Sequence, residues 1–102
     1  MIPAFLQRGS HGRYVSLHTR DPDRNSGQGD QTTHEATYAG YARVLADGAT
    51  LDFPICTGGI NMITYFAIGT AAAGPGKILD VGRVTPCIHV SDMVVPRLLL
   101  DG

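Results

Sequence analysis

The residues that come nearest to known chemistry lie between Gly69 and Lys77, where the chain reads GTAAAGPGK. A phosphate-cradling loop needs Gly, four residues, then Gly-Lys-Ser/Thr, so that backbone amides wrap the phosphates and the hydroxyl holds Mg²⁺. Aligned on Gly76-Lys77, the opening position is Ala71 and the closing one Ile78, so the first glycine and the hydroxyl are both missing. The stretch that follows, KILDVGRVT, breaks at Gly82 and meets Pro86, leaving no helix to aim its N-terminal amides at a phosphate. Residues 69–76 read instead as a small-residue turn between two strands.

Other reactive groups are sparse. Among the histidines His11, His18, His34 and His89, the closest ligand-like neighbours are Cys87 and His89, alternate residues on the same face of a strand. That pair supplies two of the four ligands a zinc ion wants. Ser10 beside His11, and Ser16 near His18, are close in sequence but lack the strained turn that exposes a nucleophile. The carboxylates Asp21, Asp23, Asp30 and Glu35 fall in a polar stretch, where solvation accounts for them, and their spacing misses the calcium-loop pattern. Tyr38, Tyr41, Tyr65 and Phe66 could stack bases only beside a basic groove, so packing is their more economical role. No catalytic residue, cofactor site or metal site is nominated.

Composition narrows the class. A chain of 102 residues is one domain, 1–102, with a single core, and 13 glycines with 6 prolines argue for many turns. The net charge of -1, with Lys77 the only lysine, removes the electrostatic case for nucleic-acid binding. Cys56 and Cys87 each sit in an apolar run and read as buried free thiols. Met1 to Leu6 is too short for a secretory leader, and Gly, Asn or Asp breaks every long apolar stretch. A soluble cytoplasmic product without a membrane span is expected.

The elements that must position these groups are mostly strands. Pro3 to Arg8, stopped by Gly9, predicts a short N-terminal helical segment within 1–9, with Phe5 and Leu6 packing on the domain or on a neighbour. Arg13 to Thr19 alternates, with Val15 and Leu17 on one face and Tyr14, Ser16 and His18 on the other. Residues 20–35 form a long polar connection, mobile or used for contact. Alternation returns over 38–46, with Tyr41 and Arg43 opposing Ala42 and Val44, and Asp47-Gly48 signals a two-residue hairpin. Residues 49–56 alternate again, with Pro54 marking an edge or a bulge. Further strands are expected over 60–69, 78–84, 86–91 and 93–100. Seven short strands spaced by Gly/Pro turns predict an all-β fold, a small antiparallel β-sandwich of jelly-roll-like build.

RYVSLHTRDPD, HEATYAGYARV and FPICTGGINMITYFAIGTAAAGPGKILDVGRVTP together resemble the small virion proteins of tailed bacteriophages. Relatives there carry a similar LHT-x-DP loop, an EATYTGYARV-like strand and a THFGIGTAASGAG-like hairpin. The likeness runs from Arg13 to Arg97, and PAFLQRG fits the short helix of those relatives. It departs at Tyr65-Phe66-Ala67-Ile68, where His-Phe-Gly-Ile is common, and in stopping soon after PRLLLDG, which leaves the last sheet edge to be closed internally or by a neighbouring subunit.

The resemblance implies a non-enzymatic structural component of the particle, located in the virion and assembled in the host cytoplasm. A capsid decoration or cement protein comes first and a tail or head-tail connector protein is the alternative. Its partners would be the major capsid protein or other virion proteins, with further copies of itself as a homo-oligomer, and neither specific nucleic acid nor membrane. Contact candidates are Phe5 and Leu6, the loop residues Asp21, Asp23 and Arg24, and Leu98, Leu99 and Leu100, whose apolar run would be costly on an open edge. A host-surface hydrolase or glycan binder would need converging polar groups in a concave site, and the sequence nominates none.

Overall fold

The computed structural model describes residues 13–22, 30–46 and 50–99. Six strands follow in chain order among these residues: β1 (Tyr14–His18), β2 (Val44–Leu45), β3 (Thr50–Asp52), β4 (Asn61–Gly69), β5 (Ile78–Val90) and β6 (Arg97–Leu99). They make a four-stranded antiparallel sheet in the order β2-β1-β4-β5 and a two-stranded antiparallel ribbon of β3 and β6. The fold is all-β over the described residues, and the N-terminal helical segment expected within 1–9 lies outside them.

β4 is the strand the sequence marks most strongly, and it is central. β1 pairs with one edge, Leu17 opposite Phe66, and β5 with the other. The GTAAAGPGK stretch is the turn between β4 and β5. It is closed by the Thr70 amide on the Lys77 carbonyl (3.1 Å) and the Lys77 amide on the Thr70 hydroxyl (3.0 Å).

The two strands expected over 78–84 and 86–91 are one, interrupted by a bulge. Tyr65 pairs with Arg83 and Ile63 with Ile88, so residues 84–87, which include the cis Thr85-Pro86 bond, have no partners on β4. Val84 turns into the core, while Thr85, Pro86 and Cys87 are exposed. Cys87 is therefore not the buried thiol its apolar neighbours suggested. Both cysteines are free, and only Cys56 is buried. Just before the bulge, Gly82 lies opposite Phe66, whose ring occupies the space a Cβ would need.

The strand expected over 38–46 shrinks to Val44–Leu45. Gly40 breaks it, with φ of +95° and a position where a Cβ would lie 2.7 Å from the Ile55 carbonyl oxygen. Only glycine accepts that conformation beside that oxygen. The Asp47-Gly48 pair lies outside the described residues; the strands on either side of it are not partners, since β2 pairs with β1 and β3 with β6.

β3 and β6 are also shorter than expected, because Pro54 and Pro96 have no amide to give the ladder. Single bonds extend the ribbon past them, from the Phe53 amide to the Pro96 carbonyl, from the Cys56 amide to Val94 and from the Met93 amide to Cys56, each 2.8 Å. Val15, Leu17, Ile63, Ile68 and Val90 of the larger sheet share one core with Leu51, Phe53 and Leu98 of the ribbon and its extension. The alternation of β6 decides the roles of its leucines, since Leu98 closes the core while Leu99 is 69% exposed.

Candidate functional site

β1 is buried on both faces, which its alternating sequence did not predict. Val15 and Leu17 face the core, and the opposite face, with Ser16 and His18, is covered by residues from the polar connection. The described end of that connection, 30–35, is thus structural: the Thr19 amide bonds the His34 carbonyl (2.9 Å), the Ala36 amide just beyond it bonds the Leu17 carbonyl (2.8 Å), and His18 bridges Glu35 as an antiparallel pair. Residues 34–36 continue the outer edge of β1 where β2 stops.

A backbone gap remains between β2 and that segment, and a side chain fills it. The amide of Leu17, a fully buried residue, donates to the Tyr41 hydroxyl at 3.1 Å in place of a backbone carbonyl. The same hydroxyl donates to Glu35 Oε2 (2.5 Å). Arg43 grips both oxygens of that carboxylate, Nε to Oε2 at 2.7 Å and Nη2 to Oε1 at 2.9 Å, and its Nη1 reaches the Ala71 carbonyl (2.9 Å). The Arg43 and Glu35 side chains retain only 3% and 13% of their exposure. This clasp ties the 30s segment, the 40s segment and the β4–β5 turn to one strand. Burial, reinforced by the hydrogen bond to Glu35, pushes the Tyr41 hydroxyl far above its ordinary range, so it stays a donor. The bond to Glu35 raises Arg43 further, keeping the guanidinium charged.

Ser16 and His18 lie 2.7 Å apart, Oγ to Nε2, and His18 Nδ1 is 2.5 Å from the Thr33 carbonyl oxygen. A carbonyl can only accept, so Nδ1 carries the proton and Nε2 accepts from the serine hydroxyl. This is the hydrogen-bond order of a serine nucleophile with its base. Both side chains are fully buried, however, so the serine oxygen presents no face to a substrate here. Burial lowers the His18 pKa from 6.5, against the opposing Thr33 carbonyl and Glu35. The dyad is a neutral fastening.

The remaining polar side chains work alike. Buried Gln31 donates to the Tyr14 carbonyl (3.1 Å) and accepts from the Ala71 amide (3.2 Å), seated against Gly69 and Gly76, where any Cβ would collide with it. Asn61 Oδ1 accepts from the amides of Thr37 and Tyr38, both at 2.8 Å. The Tyr38 hydroxyl, pushed up to about 12 by burial, donates to the Pro54 carbonyl (2.8 Å). Asp30 Oδ1 accepts from the Thr32 amide and hydroxyl, which hold its carboxyl below the usual range. Among the described residues no buried polar side-chain atom is left without a partner.

Glu35, grouped by sequence with the solvated carboxylates, is thus a correction: a long-range partner, eight residues away, draws it inside. Asp21 is exposed beside buried Pro22, while Phe5, Leu6, Asp23, Arg24 and Leu100 lie outside the described residues. His89 and Cys87 are exposed, and among the described residues no group of three or more His, Cys, Asp or Glu could hold a metal ion. Tyr41 and Arg43 did carry a signal, since the sequence places them on one face, but not their partner. No protein-family model, curated protein or solved structure matches this chain.

Proposed function

We propose that this chain is a non-enzymatic structural subunit of a tailed-phage particle, a decoration or cement protein that braces the head by bridging major capsid subunits. One observation carries the reading: the buried polar side chains of the described residues, including the serine–histidine pair and the Glu35–Arg43 ion pair, are all engaged in fastening loops to the sheet. Such an arrangement holds a shape and leaves surface for contact. Weak contacts repeated over a lattice then add up to firm attachment. The phrases that resemble phage virion proteins coincide with these fastenings: RYVSLHT holds β1, HEATYAGYARV the clasp, and INMITYFAIG β4. The two sheets sharing one core are read as a small β-sandwich of jelly-roll-like build.

The test is a reconstruction of the intact particle with this chain located in the map. Density repeated over the head, touching major capsid subunits, is the expected result. Density confined to the neck or tail would replace the cement reading with the connector one, and absence from purified particles would end both.

A further inference from the structure

We infer that the outer face of the β3–β6 ribbon binds the same face of a second copy of this chain, across a two-fold axis parallel to the strands. This rests on the ribbon alone and not on the virion reading.

Directly paired residues put their side chains on one face of a sheet. Thr50 is paired with Leu99 and Asp52 with Arg97, and all four are exposed, while Leu51 and Leu98 between them are buried. Past Phe53 and Pro96, which are joined by the Phe53 amide, the register sets the exposed Val95 (47%) against the half-buried Pro54. The outer face therefore reads, along its length, Leu99 beside Thr50, a charged pair in the middle, and an apolar end at Val95 and Pro54. The charged pair is already joined, with Arg97 Nε on Asp52 Oδ1 at 2.6 Å, and both side chains keep more than half their exposure.

That pattern selects its occupant. A two-fold axis along the strands lays β6 of one copy over β3 of the other, so each Arg97 meets the other copy's Asp52 and each Val95 meets the other copy's Pro54. Two charges of each sign then alternate in a closed ring, flanked at one end by Val95 on Pro54 and at the other by Leu99 on the Thr50 methyl. Surfaces of a single sign or wholly apolar would accept many partners, whereas a face with one charge of each sign at matched positions complements itself. Aligned packing of two sheet faces is a standard arrangement. The ribbon has about seven residues on each strand, so it covers roughly 24 Å by 10 Å. This is well short of the ~800 Å² per partner of a standard interface, so the association is concentration-dependent rather than obligate.

The test is sedimentation velocity on the full chain from about 10 µM to about 1 mM, a range that brackets weak association. Wild type is expected to shift toward the dimer as concentration rises. R97D places two acids on the face, and D52R places two bases there; each alone is expected to weaken self-association at least ~tenfold by opposing like charges. An equimolar mixture of the two variants is expected to sediment as a dimer, because each acid of one chain then meets a base of the other. Both substitutions are at exposed positions, and a native circular dichroism spectrum with a cooperative thermal transition above the assay temperature for each variant separates loss of contact from loss of fold, the like-charged pair within each chain lowering the midpoint by itself. A monomeric wild type at every concentration, variants that self-associate like wild type, or a mixture that stays monomeric would each overturn the proposal.

Discussion

Replacing Tyr41 with phenylalanine removes one oxygen and keeps the ring, including its edge-on contact with Tyr38 at 5.5 Å between centroids. Two hydrogen bonds are lost with that oxygen. The Leu17 amide is left without an acceptor on a strand where Leu17 is fully buried, and an unsatisfied buried donor costs about 1–3 kcal/mol. Glu35 loses a short bond to its charged form, and bonds to charged groups contribute about 1.5–3 kcal/mol. The bidentate grip of Arg43 stays and limits the second loss, so the expected destabilisation is about 3 kcal/mol. In a domain of this size that lowers the thermal midpoint by ~10 °C or more. Urea unfolding should show a lower midpoint with an unchanged slope, since the surface exposed on unfolding is the same. Native-state amide exchange should localise the effect, with Leu17 losing protection more than Ala67 on the paired strand β4. A variant within about 0.5 kcal/mol of wild type, the ordinary range for surface substitutions, would refute the claim that this hydroxyl completes the edge of β1.

Stability should rise with pH on the acid side of neutrality through His18: its folded pKa is lowered from 6.5, so the unfolded chain binds the proton first, and folding free energy is lost as pH falls below that value. Urea titrations at several pH values, with H18Q as the control that flattens this component, check the sign; equal slopes for the two proteins would contradict it. Gly82→Ala should destabilise by about 1–3 kcal/mol, because the new methyl collides with the Phe66 ring. In a Phe66→Ala background the same change should cost markedly less, and a double-mutant cycle without coupling would rule out that contact as the cause. Native protein should react rapidly with a maleimide at Cys87 and only on unfolding at Cys56, as mass spectrometry of labelled peptides would show; equal rates would contradict the burial difference.

Local patterns in the sequence located elements, and long-range partners decided what those elements do. β4 was legible almost to the residue because Ile63, Thr64, Tyr65, Phe66 and Ile68 crowd strong β-formers into a run with no proline or internal glycine, bounded by Gly59 and Gly69. The turn at 70–77 was legible as a near-miss of a phosphate loop, since a missing hydroxyl is a local fact. The clasp was not. Tyr41 and Arg43 alternate visibly, but Glu35 looks like any acid in a polar run until the chain folds back over β1. Strand alternation likewise assigned Ser16 and His18 to a polar face without revealing that residues 30–36 would cover it. Prolines misled in opposite ways: Pro86 was absorbed into a continuous β5 by a bulge, while Pro54 and Pro96 shortened the ribbon that apolar alternation had extended.

The bulge in β5 has a consequence for what can add to the edge of the sheet. β5 is the outermost strand of the larger sheet, and 13 residues of regular backbone there would offer any stray extended peptide a long template. Four residues without partners on β4, with an amide-free proline among them, split that rim into two lengths whose spacings no straight incoming strand can match together. The broken rim thus resists backbone-to-backbone addition, in which sequence plays no part, so that any contact made along this edge falls to side chains.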